Sequence, residues 1–310
     1  MADWKRFLVD RSAAWNLPSK GEWNALFHNN YQAHHSNINL LWFYEGNRFP
    51  SVVTKVFRES RIPQREFENL RQIHRLAPAW VPKPLYCGEQ GGFWMLWMEG
   101  VPGLRFWNTS DAALKSAVRT IADLHFAIGR ERSSPDDHRY ERLISAPLKS
   151  LQQFNGGGVV HAGCTRLAAS IDGGWLSRQP IIRQHGDLFI DNLLFWGNRW
   201  YIVDWESFGT IDFPFYDLFT LLVSRLRRDG DTPDKWDSRL VKSVPALVDL
   251  YAQRLNLSTA TMRTLLPLAL ANWFHLQWSD GREEFASRMY RIIRDYFDNT
   301  AVWERVFFGT

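Results

Sequence analysis

The spacing of apolar positions divides the chain into a strand-rich first hundred residues and a helical remainder. Residues Ile38 to Tyr44 read as a strand, Glu45-Gly46-Asn47-Arg48 as a turn, and Ser51 to Phe57 as a second strand whose apolar residues set Lys55 in half-buried surroundings. The period then lengthens. From Pro63 to Leu76, Phe67, Leu70 and Ile73 form the stripe of an amphipathic helix, with Leu76 a further turn on and Pro63 suited to the first turn. Phe93 to Met98 is an apolar strand running into Glu99-Gly100-Val101-Pro102-Gly103. Beyond a Thr-Ser-Asp start signal, Leu114, Val118, Ile121, Leu124 and Ile128 keep helical spacing over 111–128. Further helices are predicted over roughly 236–255, 258–277 and 280–297. The most apolar run, Thr264 to Trp278, is interrupted by Pro267, Asn272, His275 and Gln277 and is too short to cross a bilayer, so a buried helix is expected there.

One stretch carries chemistry. Leu193 to Trp196 and Arg199 to Val203 flank Gly197-Asn198, which predicts a β-hairpin. An antiparallel pair centred on that turn puts Asn192 across from Val203 or Asp204, depending on turn length. Two oxygen donors then converge, with Asp187 five residues upstream of the first. Hard cations such as Mg²⁺ take donors of this kind and share their remaining positions with substrate phosphates.

His185-Gly186-Asp187, four further residues, Asn192, and then Asp204 on the next hairpin resemble the catalytic loop and metal-binding aspartate of the protein-kinase-like fold. With Asp204-Trp205-Glu206, the pattern is similar to the aminoglycoside phosphotransferase and choline kinase branch, whose members phosphorylate small molecules. The resemblance implies an α+β, two-lobed protein-kinase-like fold, with a small β-rich N-lobe over residues 1–98 and a larger helical C-lobe over 99–310. It implies that Asp187 orients the acceptor hydroxyl and takes its proton. Asn192 and Asp204 hold Mg²⁺ on the nucleotide phosphates, and His185 fixes the loop.

A strand with Lys55 followed by a glutamate-bearing helix matches the phosphate-anchoring ion pair of these enzymes. Glu66 and Glu68 are both candidates; relatives carry Leu four residues after the glutamate, here Leu70, which favours Glu66. Ser36-Asn37 resembles the end of the phosphate-covering loop, although His34 and His35 stand where glycines are usual. Trp97, Met98 and Glu99 fall at the hinge and are named for main-chain contact with an adenine edge. His125, in a Leu-His pair common to the family, braces core or loop. Asp217 is implied to cap a helix while bonding the catalytic-loop backbone. Glu206 ranks lower, as a second metal or water ligand or a solvent-facing residue.

Composition matters mainly for what it excludes. The 37 Lys+Arg against 33 Asp+Glu leave a diffuse +4, which does not call for nucleic acid. Sixteen tryptophans are scattered rather than grouped on one face, against a carbohydrate- or nucleic-acid-binding module. Glu206, Asp212, Asp229 and Asp231 do not form the dense acidic wall a polycationic acceptor would want. Gly156-Gly157-Gly158 follows no strand and lacks the Lys-Ser/Thr of a P-loop, so it reads as a flexible connection. Cys87 and Cys164 suggest no disulfide framework, and Met1 to Leu8 no signal-peptide core, so a soluble cytoplasmic protein without membrane attachment is expected. The expected function is Mg²⁺-dependent transfer of the γ-phosphoryl group of ATP, or GTP, to a hydroxyl of a small metabolite, amino alcohol, sugar or aminoglycoside. The alternative is a catalytically weak, nucleotide-binding regulatory pseudokinase, against which the intact Asp187, Asn192 and Asp204 stand. No oligomeric state is implied.

Overall fold

The computed structural model describes residues 2–29, 38–105, 110–129, 131, 137–154, 157–171, 173–227 and 233–309. They build two compact units, Met1–Phe106 with Asp191–Ser207 and Trp107–Ile190 with Phe208–Thr310. In place of the single cut expected after residue 98, residues 191–207 pack with the first unit.

The first unit contains α1 (Ala2–Ser12), β1 (Trp23–Asn29), β2 (Ile38–Tyr44), β3 (Val52–Phe57), α2 (Arg61–Leu76), β4 (Pro84–Gln90), β5 (Phe93–Glu99), β6 (Leu104–Arg105), β7 (Leu193–Trp196) and β8 (Arg199–Ile202). Its main sheet is antiparallel, in the order β1-β2-β3-β5-β4. The strand period of two decides what each face meets. Val52 and Val56 of β3 join Leu40, Trp42, Met95 and Trp97 in a core against which Trp4, Phe7 and Leu8 of α1 pack. Trp42 stacks on Trp97 at 5.8 Å while its indole N–H donates to Thr54 Oγ1 at 2.9 Å. Lys55 alternates with these residues and so lies on the other face, with α2. The buried stripe of α2 is Pro63, Glu66, Leu70 and Ile73; Phe67, expected in the stripe, is only half-buried. The stripe has rotated to put a carboxylate inward. Gly100, just after β5, has no room for a side chain: a Cβ there would lie 2.0 Å from the Pro50 carbonyl oxygen.

The predicted hairpin forms. Gly197 and Asn198 adopt φ of 55° and 66°, the left-handed pair of a type I′ turn, which pairs Trp196 with Arg199 and Leu193 with Ile202. Val203 N–H donates to the Asn192 carbonyl at 3.1 Å, so the two-residue turn sets Asn192 opposite Val203. Ile202 N–H donates to the Trp80 carbonyl at 2.7 Å, and Phe49 packs on Trp196 at 4.6 Å, anchoring the hairpin in this unit.

The second unit is helical: α3 (Asp111–Ile128), α4 (Asp137–Tyr140), a π turn at Glu141–Ser145, α5 (Ala146–Phe154), α6 (Gly158–Ser170), α7 (Gly173–Arg178), α8 (Tyr216–Leu226), α9 (Ser238–Arg254), α10 (Thr259–Ser279), α11 (Glu283–Asp298) and α12 (Thr300–Phe308). Ser110 caps α3, its hydroxyl accepting from Ala113 N–H at 3.3 Å. The apolar centre of α10 is buried against α5, α8 and α11, while α3 and α12 pack on α9. Among the described residues, no helix is long and apolar enough to cross a membrane.

Candidate active site

In the first unit, Lys55, Glu66 and Asp204 meet although they come from a strand, a helix and the segment after β8. The Lys55 ammonium donates to Glu66 Oε1 at 2.7 Å and Oε2 at 2.9 Å, and to Asp204 Oδ1 at 2.6 Å. Glu66 is fully buried; the Asp204 side chain keeps 38% of its surface. Of the two candidate glutamates, Glu66 therefore meets the lysine, and Glu68 pairs at the surface with Arg71 at 3.1 Å. Burial alone would push the Lys55 pKa down, but the charges of Asp204, Glu66 and Glu206 outweigh it and hold the ammonium above its ordinary value. Burial pushes the Glu66 carboxyl up, against the pull of Lys55.

Carboxylate oxygens of Glu66, Asp204 and Glu206 all lie within 4.8 Å of one another. Asp204 has φ of 70°, a left-handed backbone uncommon for a non-glycine residue. Behind it, Trp205 is fully buried with its indole N–H on the Ile202 carbonyl at 2.8 Å. Asn69 of α2 donates to the Trp205 carbonyl at 2.9 Å and the Glu206 carbonyl at 3.4 Å. Asn192 is half-buried at the end of a 3-10 turn, Ile190–Asn192, leading into β7.

In the second unit, Gln184 N–H donates to the Ile211 carbonyl at 3.0 Å, and Gly209 N–H returns to the Gln184 carbonyl at 2.9 Å. These bonds aim the following loop. The buried Asp217 carboxylate accepts from His185 N–H at 2.6 Å and Gly186 N–H at 3.0 Å. His125 Nε2 donates to the same carboxylate at 3.1 Å while its Nδ1 meets the Tyr251 hydroxyl at 2.7 Å, the bracing expected of this histidine. His185 Nδ1 accepts from Asp187 N–H at 3.3 Å, leaving Asp187 half-buried on a pinned backbone. Asp217 does not cap α8, contrary to expectation: the helix begins at Tyr216, so the cap position is Phe215 at φ 73°, and the Asp217 N–H donates to the Gln184 side-chain oxygen at 3.1 Å. Tyr216 is fully buried and its hydroxyl has no hydrogen-bond partner among the described residues; burial, then the Asp187 and Asp217 charges, push its pKa well up. Asp212 is held by two arginines, Arg139 at 2.8 Å and Arg142 at 2.6 Å, so its charge is spoken for.

At the expected hinge, Trp97 and Met98 are buried in β5, Glu99 N–H donates to the Lys83 carbonyl at 2.8 Å, and Gly100 N–H to the Ser51 carbonyl at 2.9 Å. Ser36 and Asn37, with His34 and His35, lie outside the described residues, as do Asp229 and Asp231. Sequence reasoning missed Asn69 and Arg139. Asn69 had a signal, since it stands three residues after Glu66 and so on the same helix face; Arg139 had none.

Compared with known families, residues 32–256 match the phosphotransferase enzyme family. The chain belongs to that family. No curated protein matches it. Solved phosphotransferases share its fold across nearly its whole length: a putative aminoglycoside phosphotransferase from Ralstonia eutropha is 16% identical, with a TM-score of 0.58, covering 93% of this chain and 96% of that one. A thermostable mutant of aminoglycoside phosphotransferase APH(4)-Ia in its apo form is 13% identical, with a TM-score of 0.59, covering 96% and 99%. The same enzyme solved as a ternary complex with ADP and hygromycin B is 15% identical, with a TM-score of 0.57, covering 94% and 97%. This member of the phosphotransferase family thus has the α+β, two-lobed protein-kinase-like fold, with the β-rich unit first and the helical unit second.

Proposed function

We propose that this phosphotransferase is a small-molecule kinase, moving the γ-phosphoryl group of ATP or GTP to a hydroxyl of a metabolite, amino alcohol, sugar or aminoglycoside. The observation that carries the reading is the Lys55 ammonium gripped by the buried Glu66 and by Asp204 at 2.6–2.9 Å. A half-buried cation fixed at that cost in desolvation is suited to a polyanion such as a nucleotide triphosphate. Solved relatives in fold bind ADP or GDP in their own crystals, which supports a nucleotide and leaves the base to experiment.

Asp204 and Asn192, with Glu206 beside them, would hold Mg²⁺, since all three offer hard oxygen donors. When bound, the ion neutralises phosphate charge that builds as the phosphoryl group leaves. Lys55 would exchange its bond to Asp204 for the α- and β-phosphates, while Glu66 keeps its direction. Ser36 and Asn37 would cover the phosphates, and the backbone of Trp97, Met98 and Glu99 would border the base.

Asp187 would orient the acceptor hydroxyl and take its proton. Its backbone is fixed by His185 and, through His185 and Gly186, by Asp217, so little freedom is lost when the acceptor binds. A positioned general base contributes about 10²- to 10⁴-fold. The free thiols of Cys87 and Cys164 support a reducing compartment such as the cytoplasm.

The test is a phosphate-transfer screen with ATP and GTP over amino alcohols, sugars and aminoglycosides, with Mg²⁺ present and Asp187→Ala as the blank. Acceptor-dependent nucleotide consumption that falls at least about a hundredfold in the variant is the expected result. Turnover unchanged by Asp187→Ala would remove the assigned base, and no nucleotide binding by the native protein would remove the kinase reading.

A further inference from the structure

We infer that Asn69 is a positioning residue for the metal-facing segment Asp204 to Glu206, working from the same helix that positions Lys55. The inference rests on the kinase reading above. Two residues three apart on one face of α2 reach two different parts of the site: Glu66 grips Lys55, and Asn69 Nδ2 holds the Trp205 carbonyl at 2.9 Å and the Glu206 carbonyl at 3.4 Å.

Asp204 needs such help. Its φ of 70° is a backbone state that costs a non-glycine residue about 1–2 kcal/mol, so neighbouring bonds must hold it there. On its N-terminal side, Val203 is tied to Asn192 at 3.1 Å. On its C-terminal side, the side-chain amide of Asn69 reaches the next two carbonyls. With both flanks fixed, the Asp204 carboxylate is aimed before a cation arrives. Asn69 acts through this backbone, as the outer partners of metal ligands do.

In this role the Asn69 side-chain amide must donate, since both of its partners are carbonyl oxygens. Asn69→Asp keeps the shape but faces two carbonyl oxygens with an acceptor, and Asn69→Leu keeps the volume with no donor. Asn69→Gln keeps the donor on a longer stem. The reporter is Mn²⁺, followed by the electron paramagnetic resonance of the free ion in the presence of ADP, with metal-free ADP binding measured alongside by calorimetry. Asn69→Asp and Asn69→Leu should weaken Mn²⁺ about tenfold or more, with metal-free ADP affinity within about twofold of native and Asn69→Gln restoring most of the loss. Asn69→Ser, a smaller change that also removes the amide, carries the same expectation and serves if the bulkier variants do not fold.

Native-like Mn²⁺ affinity in the folded Asp, Leu and Ser variants would overturn the role of Asn69 alone. Equal losses for Mn²⁺ and metal-free ADP would overturn it as well, because they would mark a general loosening of the unit. Native protein that binds neither Mn²⁺ nor ADP would overturn the kinase reading together with this inference.

Discussion

Lys55→Met should destabilise the first unit in a pH-dependent way. The substitution strips Glu66, fully buried, of an ammonium 2.7 and 2.9 Å from its two oxygens. Removing one partner of a buried pair costs about 3–5 kcal/mol, because the other charge stays behind uncompensated, whereas replacing both by apolar groups is near neutral. Asp204 adds little to this figure, since its side chain keeps 38% of its surface and water can solvate it. Lys55→Met with Glu66→Leu should therefore recover most of the loss, a coupling of about 3 kcal/mol in a double-mutant cycle.

The pH dependence follows from Glu66. Burial already raises its carboxyl pKa, and the pull of Lys55 is what opposes that rise. In the single variant the folded-state pKa climbs further above its unfolded value, so the folded protein holds a proton the unfolded chain releases. The penalty is then absent below the unfolded pKa and grows as pH rises toward the folded one. Denaturant midpoints read by tryptophan fluorescence, with Trp42 and Trp97 in the adjoining core, should show a smaller deficit for Lys55→Met at pH 5 than at pH 8. An equal deficit at both pH values, or a double variant no better than the single one, would refute the reasoning.

Asp217→Asn should cost about 2–4 kcal/mol, because its amide can face only one of the His185 and Gly186 N–H groups with oxygen and sets a donor against the other; thermal unfolding measures the loss, and kcat should fall more than KM rises. Gly100→Ala should cost about 1–3 kcal/mol of stability and so lower the unfolding midpoint, since its Cβ would meet the Pro50 carbonyl oxygen at 2.0 Å and backbone must shift; a midpoint equal to native would show that the strand end yields freely. Tyr216→Phe should be neutral or stabilising by up to about 1 kcal/mol at pH 7, as it deletes a buried hydroxyl with no partner among the described residues. Burial, then Asp187 and Asp217, raise the Tyr216 pKa in the fold, so the native protein loses stability as pH climbs above 10 and the unfolded chain ionises. The variant should show a shallower alkaline decline, by at most about 1.4 kcal/mol per pH unit, in urea titrations at pH 9 and 11.

Much of this was legible because local signals and tertiary structure agree. The 111–128 periodicity and its serine start give α3 with those limits, and Gly197-Asn198 supports a turn that few other dipeptides would. Lys55 and Glu66 could be paired because a lysine strand followed by a glutamate helix, with Leu70 four residues after Glu66, resembles the ion pair of the family. What stayed hidden is non-local. Nothing in residues 191–207 announces that they pack with the first hundred rather than with their own neighbours. The 2–12 stretch reads as an unremarkable start, yet α1 covers one face of the sheet through Trp4, Phe7 and Leu8. β4, with its Pro and Gly, lacks alternation, and α5 to α7 and α12 have weaker patterns than the long helices around them. Asn69 shares a helix face with Glu66, but its partners could not be read because they are backbone carbonyls 136 and 137 residues away. Asp217 was legible as a loop anchor and misread as a cap, since α8 begins one residue before it.

The excursion of residues 191–207 into the first unit has a consequence for biosynthesis. As a nascent chain leaves the ribosome, the opening hundred residues can form their sheet, but the strand partner of β6 is not yet made. That unit cannot be completed until position 207 has been translated, by which time much of the second unit's helical chain is already outside. A gene fragment ending near residue 106 should consequently yield an insoluble product, and supplying 191–207 through a short linker is the way to rescue it.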